Sequence, residues 1–252
     1  DLPGRNCVEI RRLGKRLVLC FEDDYYLLVH LMIAGRFQWR NKRQAAPGPI
    51  GLMAMDFESG TLLLTEASKK HRAALHLVRG EDGLTAFDPG GLEVAEIDAS
   101  TFAERLLAEN HTLKRTLTDQ RIFAGIGNAY SDEMLHAAGL SPMKQTSKLQ
   151  ADEIKRLYLA CRQTLSYWID HHKEDWGDEF PTKVTAFHQE MAVHGRYQKP
   201  CPVCQQPVQR IRYASNECNY CARCQNQDNI LADRSLARLL NKDWTKKLED
   251  LE

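Results

Sequence analysis

The chain has 252 residues, with 34 basic and 34 acidic side chains and 43% hydrophobic residues, enough apolar material for one large core or two small ones. No run of about 18 apolar residues occurs, so no helical membrane span is expected. The opening DLPGRNCVEI lacks the apolar core of a signal peptide and does not begin with Met, so a processed or partial product is expected.

A net charge of zero argues weakly against a nucleic-acid partner, but the charge is unevenly spread. Residues 1–43 hold nine Lys/Arg against five Asp/Glu, residues 195–224 five against one, and residues 151–194 five against eight. A local basic surface binds phosphates even where the total cancels. Five of the eight cysteines fall between Cys201 and Cys224, while Cys7, Cys20 and Cys161 are scattered. That clustering favours a metal over a disulfide framework, and with it a reducing, cytoplasmic setting.

Residues 1 to about 98 read as β-rich. The runs Leu17–Phe21, Tyr25–Leu31, Leu52–Phe57, Thr61–Thr65 and Ala73–Val78 are separated by turn signals at Asp23-Asp24, Pro47-Gly48-Pro49 and Ser59-Gly60. An antiparallel sandwich or barrel is expected there, ending at Asp88-Pro89-Gly90-Gly91.

Residues 101–173 read as helical. Phe102, Leu106, Leu107, Leu113 and Leu117 make one amphipathic stretch, which Gly125-Ile126-Gly127-Asn128 interrupts. A helix from Ala129 to Ala138 should stop at Gly139, with Pro142 just beyond. A longer helix follows from about Lys148, with Ser147-x-x-Gln150 as its capping box and Ile154, Leu157, Tyr158, Cys161, Leu165, Trp168 and Ile169 at helical spacing. The tail after the cysteines, residues 229–252, is expected to be helical, with Leu231, Leu236, Leu239, Leu240 and Trp244 on its apolar face.

Cys201-x-x-Cys204, sixteen residues, then Cys221-x-x-Cys224 is the strongest single signal. Two such knuckles place four thiolates around one tetrahedral Zn2+ ion. A hairpin this small has too little core to fold without metal. Val208, Ile211 and Tyr213 alternate with Gln209, Arg210 and Arg212 between the knuckles, and Cys218 fits neither pair. Spacing alone is equally compatible with a purely structural ribbon and with a DNA-facing hairpin carrying Arg210, Arg212 and Arg223. In Gly125-Ile126-Gly127-Asn128, small residues before a helix let backbone N–H groups approach a phosphate. Lys114 and Arg121 lie just upstream and could add charge. Taken alone, such a segment is more often an ordinary helix–helix turn.

Five segments together resemble the formamidopyrimidine-DNA glycosylase/endonuclease VIII family, in order and over nearly the whole chain. These are Arg11–Leu19, His30–Arg36, Leu117–Arg121 through Gly125–Glu133, Phe187–Arg196, and the C-x2-C-x16-C-x2-C finger. The resemblance implies an α+β multidomain protein. Its parts are a β-sandwich over 1–98 that lacks about its first 50 residues, a helix-two-turn-helix domain over 99–198, a zinc-finger hairpin over 199–226 and a helical tail over 227–252.

It also implies a DNA repair glycosylase with AP-lyase activity that acts, as a monomer and without a small-molecule cofactor, on damaged double-stranded DNA. The family's N-terminal proline forms a Schiff base with the damaged nucleotide, and an adjacent glutamate serves acid–base chemistry. Both are expected upstream of Asp1, so these 252 residues alone are expected to be inactive. The alternative is a noncatalytic damaged-DNA-binding protein of the same fold.

Carried over by the resemblance, Lys15 matches a lysine that reaches the lesion phosphates and assists elimination. Asn128 with Gly127 matches the phosphate-binding turn, and Arg121 a basic residue at the end of the preceding helix. Ile33 aligns with an intercalating position, although a core role fits it equally. Lys70 and Arg72 lie in the loop that supplies the other wedges, where the family's D-P-R-R-F pattern is missing. Three further departures stand out. Asn216, flanked by Glu217, occupies the place of the finger's phosphate-clamping arginine, which puts δ-elimination in doubt. The loop between Phe180 and Phe187 is short, and the tail runs 28 residues past Cys224. His136 and His188 sit in family-like segments, where core or surface roles are expected.

Overall fold

In a computed structural model of the chain, described over residues 2–182, 185, 187–213, 216–231 and 247–251, the N-terminal part is a two-layered β-sandwich. Strands β1 (Cys7–Leu13), β2 (Arg16–Phe21), β3 (Tyr25–His30) and β7 (Ala74–Arg79) form one antiparallel sheet in the order β1-β2-β3-β7. Strands β4 (Gly35–Arg40), β5 (Gly51–Phe57) and β6 (Gly60–Glu66) form the other, in the order β4-β6-β5. The side-chain period of two decides which residues fill the space between the sheets. Leu19, Phe21, Leu27 and Val29 from the first pack with Leu62 and Leu64 from the second, and Phe37, Trp39, Met53, Met55 and Phe57 close the layer.

The Asp23-Asp24 turn forms as expected, with both residues at positive φ (58° and 59°). The two strands not read from alternation alone are β1 and β4. β1 is an edge strand whose Val8 and Ile10 lie exposed, so its pattern carries no buried apolar face.

The described chain forms two compact units. One is 1–89 with 171–185, and the other is 90–170 with 186–252. Residues 90–98 therefore pack with the helical unit, where Val94 and Ile97 join its core. The helices are α1 (Gly80–Thr85), α2 (Ala99–Leu107), α3 (Leu113–Thr118), α4 (Asn128–Ala138), α5 (Ala151–Trp176) and α6 (Ala222–Asn226).

Phe102, Leu106, Leu113, Leu117, Phe123, Ile126, Met134, Leu135, Leu157 and Cys161 are fully buried and form the helical core. Leu107 and Ile169 follow the helical period but are about half exposed, 45% and 51%. Each sits at the rim of the apolar stripe. α4 stops at Gly139 as the sequence implied, because Gly139 takes the left-handed conformation (φ 64°) that closes the last turn.

The start of α5 differs from the expected capping box. Ser147 lies in a short 3-10 turn (Thr146–Lys148), and its N–H donates to Asn110 Oδ1 at 3.3 Å. Gln150 precedes the helix, and its N–H donates to Glu153 Oε2 at 2.9 Å. That bond is one half of a capping box, three residues further along than the sequence suggested.

β8 (Gln209–Tyr213) and β9 (Asn216–Tyr220) make the hairpin of the cysteine module. Of the expected tail face, residues 236, 239, 240 and 244 lie outside the described residues. The described residues on either side of them contact the hairpin. Leu248 is buried against Ile211, Cys218 and Tyr220, and the Leu231 N–H donates to Tyr220 Oη at 2.7 Å. Among the described residues no helix is long and apolar enough to cross a membrane.

Candidate nucleic-acid interface and metal centre

Register places the sandwich's candidate residues at one end. β3 ends at His30, which pairs with Ala74 at the start of β7. β4 begins at Gly35, which pairs with Glu66 at the end of β6. The turn 31–34 and the loop 67–73 both cross between the sheets there. The β1–β2 turn carrying Lys15 is at the same end, since Leu17 pairs with Val29 next to His30. Lys15 and Arg16 lie close enough to His30 that, after burial, their charges are what hold its imidazole below its ordinary pKa. A neutral imidazole is what the geometry uses, for His30 Nδ1 accepts the Met32 N–H at 3.0 Å.

That turn is tightly built. A Cβ at Gly35 would meet Leu31 O at 2.3 Å, and the Gly35 N–H donates to Leu31 O at 2.8 Å. Ile33 at its tip is 77% exposed, so the core alternative for Ile33 does not hold. Its neighbour Met32 is 44% exposed and sits at φ 53°, a conformation bulky side chains rarely adopt. Sequence reading passed over Met32, because nothing in the pattern marks a strained methionine.

The loop 67–73 is pinned by a buried carboxylate. Glu66, 1% exposed, accepts the N–H groups of Arg72 (3.0 Å) and Ala73 (2.9 Å), and these bonds hold its carboxyl below the usual range. Lys69, Lys70, His71 and Arg72 are left on the outside.

In the helical unit the glycine turn is fastened by one amide. Gln120 Oε1 accepts the Gly125 N–H at 3.0 Å, and Gln120 Nε2 donates to Ile126 O at 2.8 Å. Gly125 takes φ 79°, the left-handed region that favours glycine. Ile126 is fully buried and anchors the turn. Gly127 is the N-cap of α4, and no side chain caps it, so the first-turn amides lack an intrahelical acceptor. Asn128, half-buried, donates Nδ2–H to Glu217 O at 2.8 Å and thereby joins this turn to the cysteine hairpin.

The two flanking cations behave differently from what their position suggested. Lys114 does not add surface charge. Its ammonium is buried and donates to Asp132 Oδ1, to Ser131 Oγ (2.8 Å) and to Asn128 O (2.8 Å). Arg121 stays on the surface, but both arms of its guanidinium hold Asp119 (Nε–Oδ1 3.0 Å, Nη2–Oδ2 2.6 Å). Those bonds lower the Asp119 carboxyl to about 2.

Asp132 and its neighbour are the hub of a buried network missed in the sequence. Asp132 Oδ2 accepts His194 Nδ1–H (2.8 Å) and the Asn219 N–H (3.1 Å). Glu133 accepts the N–H groups of Ala192 (2.7 Å), Val193 (2.9 Å) and His194 (2.8 Å). Two adjacent helix carboxylates thus dock the segment that enters the cysteine module.

Within that module Cys201, Cys204, Cys221 and Cys224 bring their sulfurs within 4.8 Å of one another. Cys201–Cys224 is 3.9 Å and Cys204–Cys221 3.3 Å. A tetrahedron of thiolates at a Zn–S distance of about 2.3 Å has edges of about 3.8 Å, so the donor set fits Zn2+. Burial pushes the Cys221 thiol up to about 12, whereas at Cys201 and Cys204 hydrogen bonds outweigh burial and hold the thiols below their ordinary value, and a bound cation favours the thiolate form at all four. Cys218 stays outside the cluster, buried in the hairpin core.

On the hairpin, Arg212 is exposed opposite Glu217, while Arg210 stacks over Tyr197 (4.0 Å) and meets Glu217 Oε2 at 3.4 Å. Tyr213, two residues from Ile211 on the same strand, is 44% exposed where Ile211 is buried. Its hydroxyl reaches Met143 Sδ at 3.6 Å.

Two family profiles match the chain. The formamidopyrimidine-DNA glycosylase N-terminal domain covers residues 1–76, and the H2TH domain of the same glycosylases covers 88–177. A formamidopyrimidine-DNA glycosylase from Moorella thermoacetica is 32% identical over 218 residues, 84% of this chain and 78% of the relative. The chain belongs to the formamidopyrimidine-DNA glycosylase family. The fold agrees: a crystal structure of the Thermus thermophilus member matches with a TM-score of 0.73 at 30% identity, covering 88% of this chain and 84% of that one. The Lactococcus lactis formamidopyrimidine-DNA glycosylase, bound non-covalently to DNA containing an AP site, matches with a TM-score of 0.76 at 25% identity, covering 90% and 84%. α3, the glycine turn and α4 therefore lie within this family's H2TH domain.

Proposed function

We propose that this member of the formamidopyrimidine-DNA glycosylase family excises damaged, oxidised bases from double-stranded DNA and nicks the strand through AP-lyase chemistry. The observation that carries the reading is the 2.8 Å bond from Asn128 Nδ2 to Glu217 O, which makes the uncapped start of α4 and the cysteine hairpin one surface. Helix amides and hairpin arginines on one surface suit a sugar-phosphate backbone.

In this reading Gly127 and Asn128 hold a phosphate. Arg212 adds charge from the hairpin. Arg210 and Arg121 contribute where DNA competes with Glu217 and Asp119 for their guanidinium groups. From the sandwich, Lys15 reaches the lesion phosphates. Ile33 enters the duplex in place of the flipped nucleotide, and Lys70 and Arg72 flank it. Zn2+ held by Cys201, Cys204, Cys221 and Cys224 folds the hairpin.

The nucleophile is the N-terminal proline that the family resemblance implies upstream of Asp1. Its amine attacks the anomeric carbon, the damaged base leaves, and the resulting imine acidifies the neighbouring sugar proton so that elimination breaks the strand. An α-amino group with a pKa of about 8 is unprotonated in about a tenth of molecules at neutral pH, far more than a lysine amine with a pKa of about 10.4. The protein acts as a monomer in the cytoplasm.

Borohydride trapping of the complete protein on abasic-site DNA tests the chemistry. A covalent adduct is expected. Tight binding without an adduct would instead identify a noncatalytic damaged-DNA binder of the same fold.

A further inference from the structure

Asn128, Asp132 and His136 recur every fourth residue and share one face of α4. Each reaches the cysteine module. Asn128 meets Glu217 O, Asp132 meets the Asn219 N–H, and His136 Nε2 lies 3.3 Å from Cys201 Sγ. The first two contacts hold hairpin backbone, whereas the third touches a metal ligand. His136 is 8% exposed, and its ring is held between the helix and the knuckle.

We propose that His136 is a positioning residue of the metal centre: its Nε2–H donates to the Cys201 thiolate and stabilises the loaded four-cysteine site. The inference rests on the zinc reading above. A ligating thiolate carries no proton, so a hydrogen bond here requires the proton on His136 Nε2. Four thiolates around one divalent ion leave excess negative charge in a buried place, since Cys201 and Cys221 are fully buried. A donor at Cys201 spreads that charge and fixes the direction of the sulfur. Loss of such an outer partner typically lowers metal affinity by about 10–100-fold. The same helix begins at the Gly127-Asn128 turn, so the metal braces the far end of the element that presents the phosphate site.

The test uses the complete protein in three forms: wild type, His136→Phe and His136→Gln. Phe keeps a ring without a donor, and Gln keeps a donor. Zinc content is measured by elemental mass spectrometry and zinc affinity by chelator competition. The thiolate-to-metal charge-transfer bands are recorded for the cobalt-substituted protein.

Wild type is expected to hold one zinc. His136→Phe should lose about 10–100-fold in affinity and shift the charge-transfer bands, while His136→Gln stays close to wild type. His136→Leu, a smaller side chain, repeats the readout independently of how Phe is accommodated. Wild-type affinity and unshifted bands in the donorless variants overturn the inference, as does an equal loss in Phe and Gln. A wild-type protein without zinc overturns the metal assignment itself, and this inference with it.

Discussion

The two candidate surfaces are held in place by different means. At the end of the sandwich, exposed side chains ride on short connections whose backbone is fixed by a few local hydrogen bonds: Glu66 and Ser68 for the loop 67–73, and His30, Gly35 and Arg36 for the turn 31–34. In the helical unit, the Asn128 turn and the hairpin rest on a buried, charged lattice of Lys114, Asp132, Glu133 and His194. A tight connection with a bare apolar tip suits insertion into a stack of bases. A rigid lattice suits a contact whose geometry must match a phosphate. Damage to the lattice should therefore cost stability and grip together, whereas damage to the sandwich end should cost function alone.

The largest effect is expected from the metal centre. Cys221→Ser, or stripping zinc with a chelator, should unfold the hairpin and lower affinity for abasic-site DNA by about 100-fold or more, because a hairpin this small depends on its ion. Circular dichroism and fluorescence anisotropy check this. Retained structure in metal-free protein would count against the ligand set.

Next comes Asp132→Asn, which leaves the Lys114 ammonium buried without its counter-charge. A loss of about 3–5 kcal/mol is expected, read as a fall in calorimetric Tm. Asn128→Ala and Lys15→Ala follow. Each should weaken lesion-DNA binding or cleavage by about tenfold or more, Asn128→Ala through loss of a positioned polar contact and Lys15→Ala with an unchanged Tm. A Lys15→Ala protein with lowered Tm would blur the contrast between the two surfaces.

The smallest effect concerns Asp119. Its carboxyl is lowered from 3.8 to about 2 by Arg121. The stabilisation it gives is therefore present above about pH 4 and is lost as the pH falls through about 2. The Arg121 side chain is 68% exposed, so the contribution should stay below about 1 kcal/mol. The Tm gap between wild type and Asp119→Asn should be small at pH 7 and close toward pH 2. A gap that widens on acidification would show that the pair does not behave this way.

Much of this architecture could be read in the residues, and the reason is locality. The knuckles Cys201-x-x-Cys204 and Cys221-x-x-Cys224, the Asp23-Asp24 turn, the alternation of β5 and the Gly139 stop are each encoded within a few residues. What stayed hidden depends on distant partners. Lys114 looked like a surface cation because its acceptor Asp132 is eighteen residues away. His136 looked like an ordinary helix residue because Cys201 lies 65 residues on. The helix start lies three residues past the box that Ser147 suggests, because Ser147 is a common cap type while the carboxylate that bonds the Gln150 N–H is Glu153. β1 was obscure because an exposed edge strand shows no buried face.

The central claim is that the α4 turn and the metal-braced hairpin grip the backbone as one element. Its most direct test is the salt dependence of affinity for abasic-site duplex, measured side by side for zinc-loaded and metal-free protein. The account predicts a linear fall of log affinity with log salt, with a slope that becomes shallower by about two phosphate contacts once the ion is removed, together with weaker binding throughout. Equal affinity and equal slope in the two forms would contradict it.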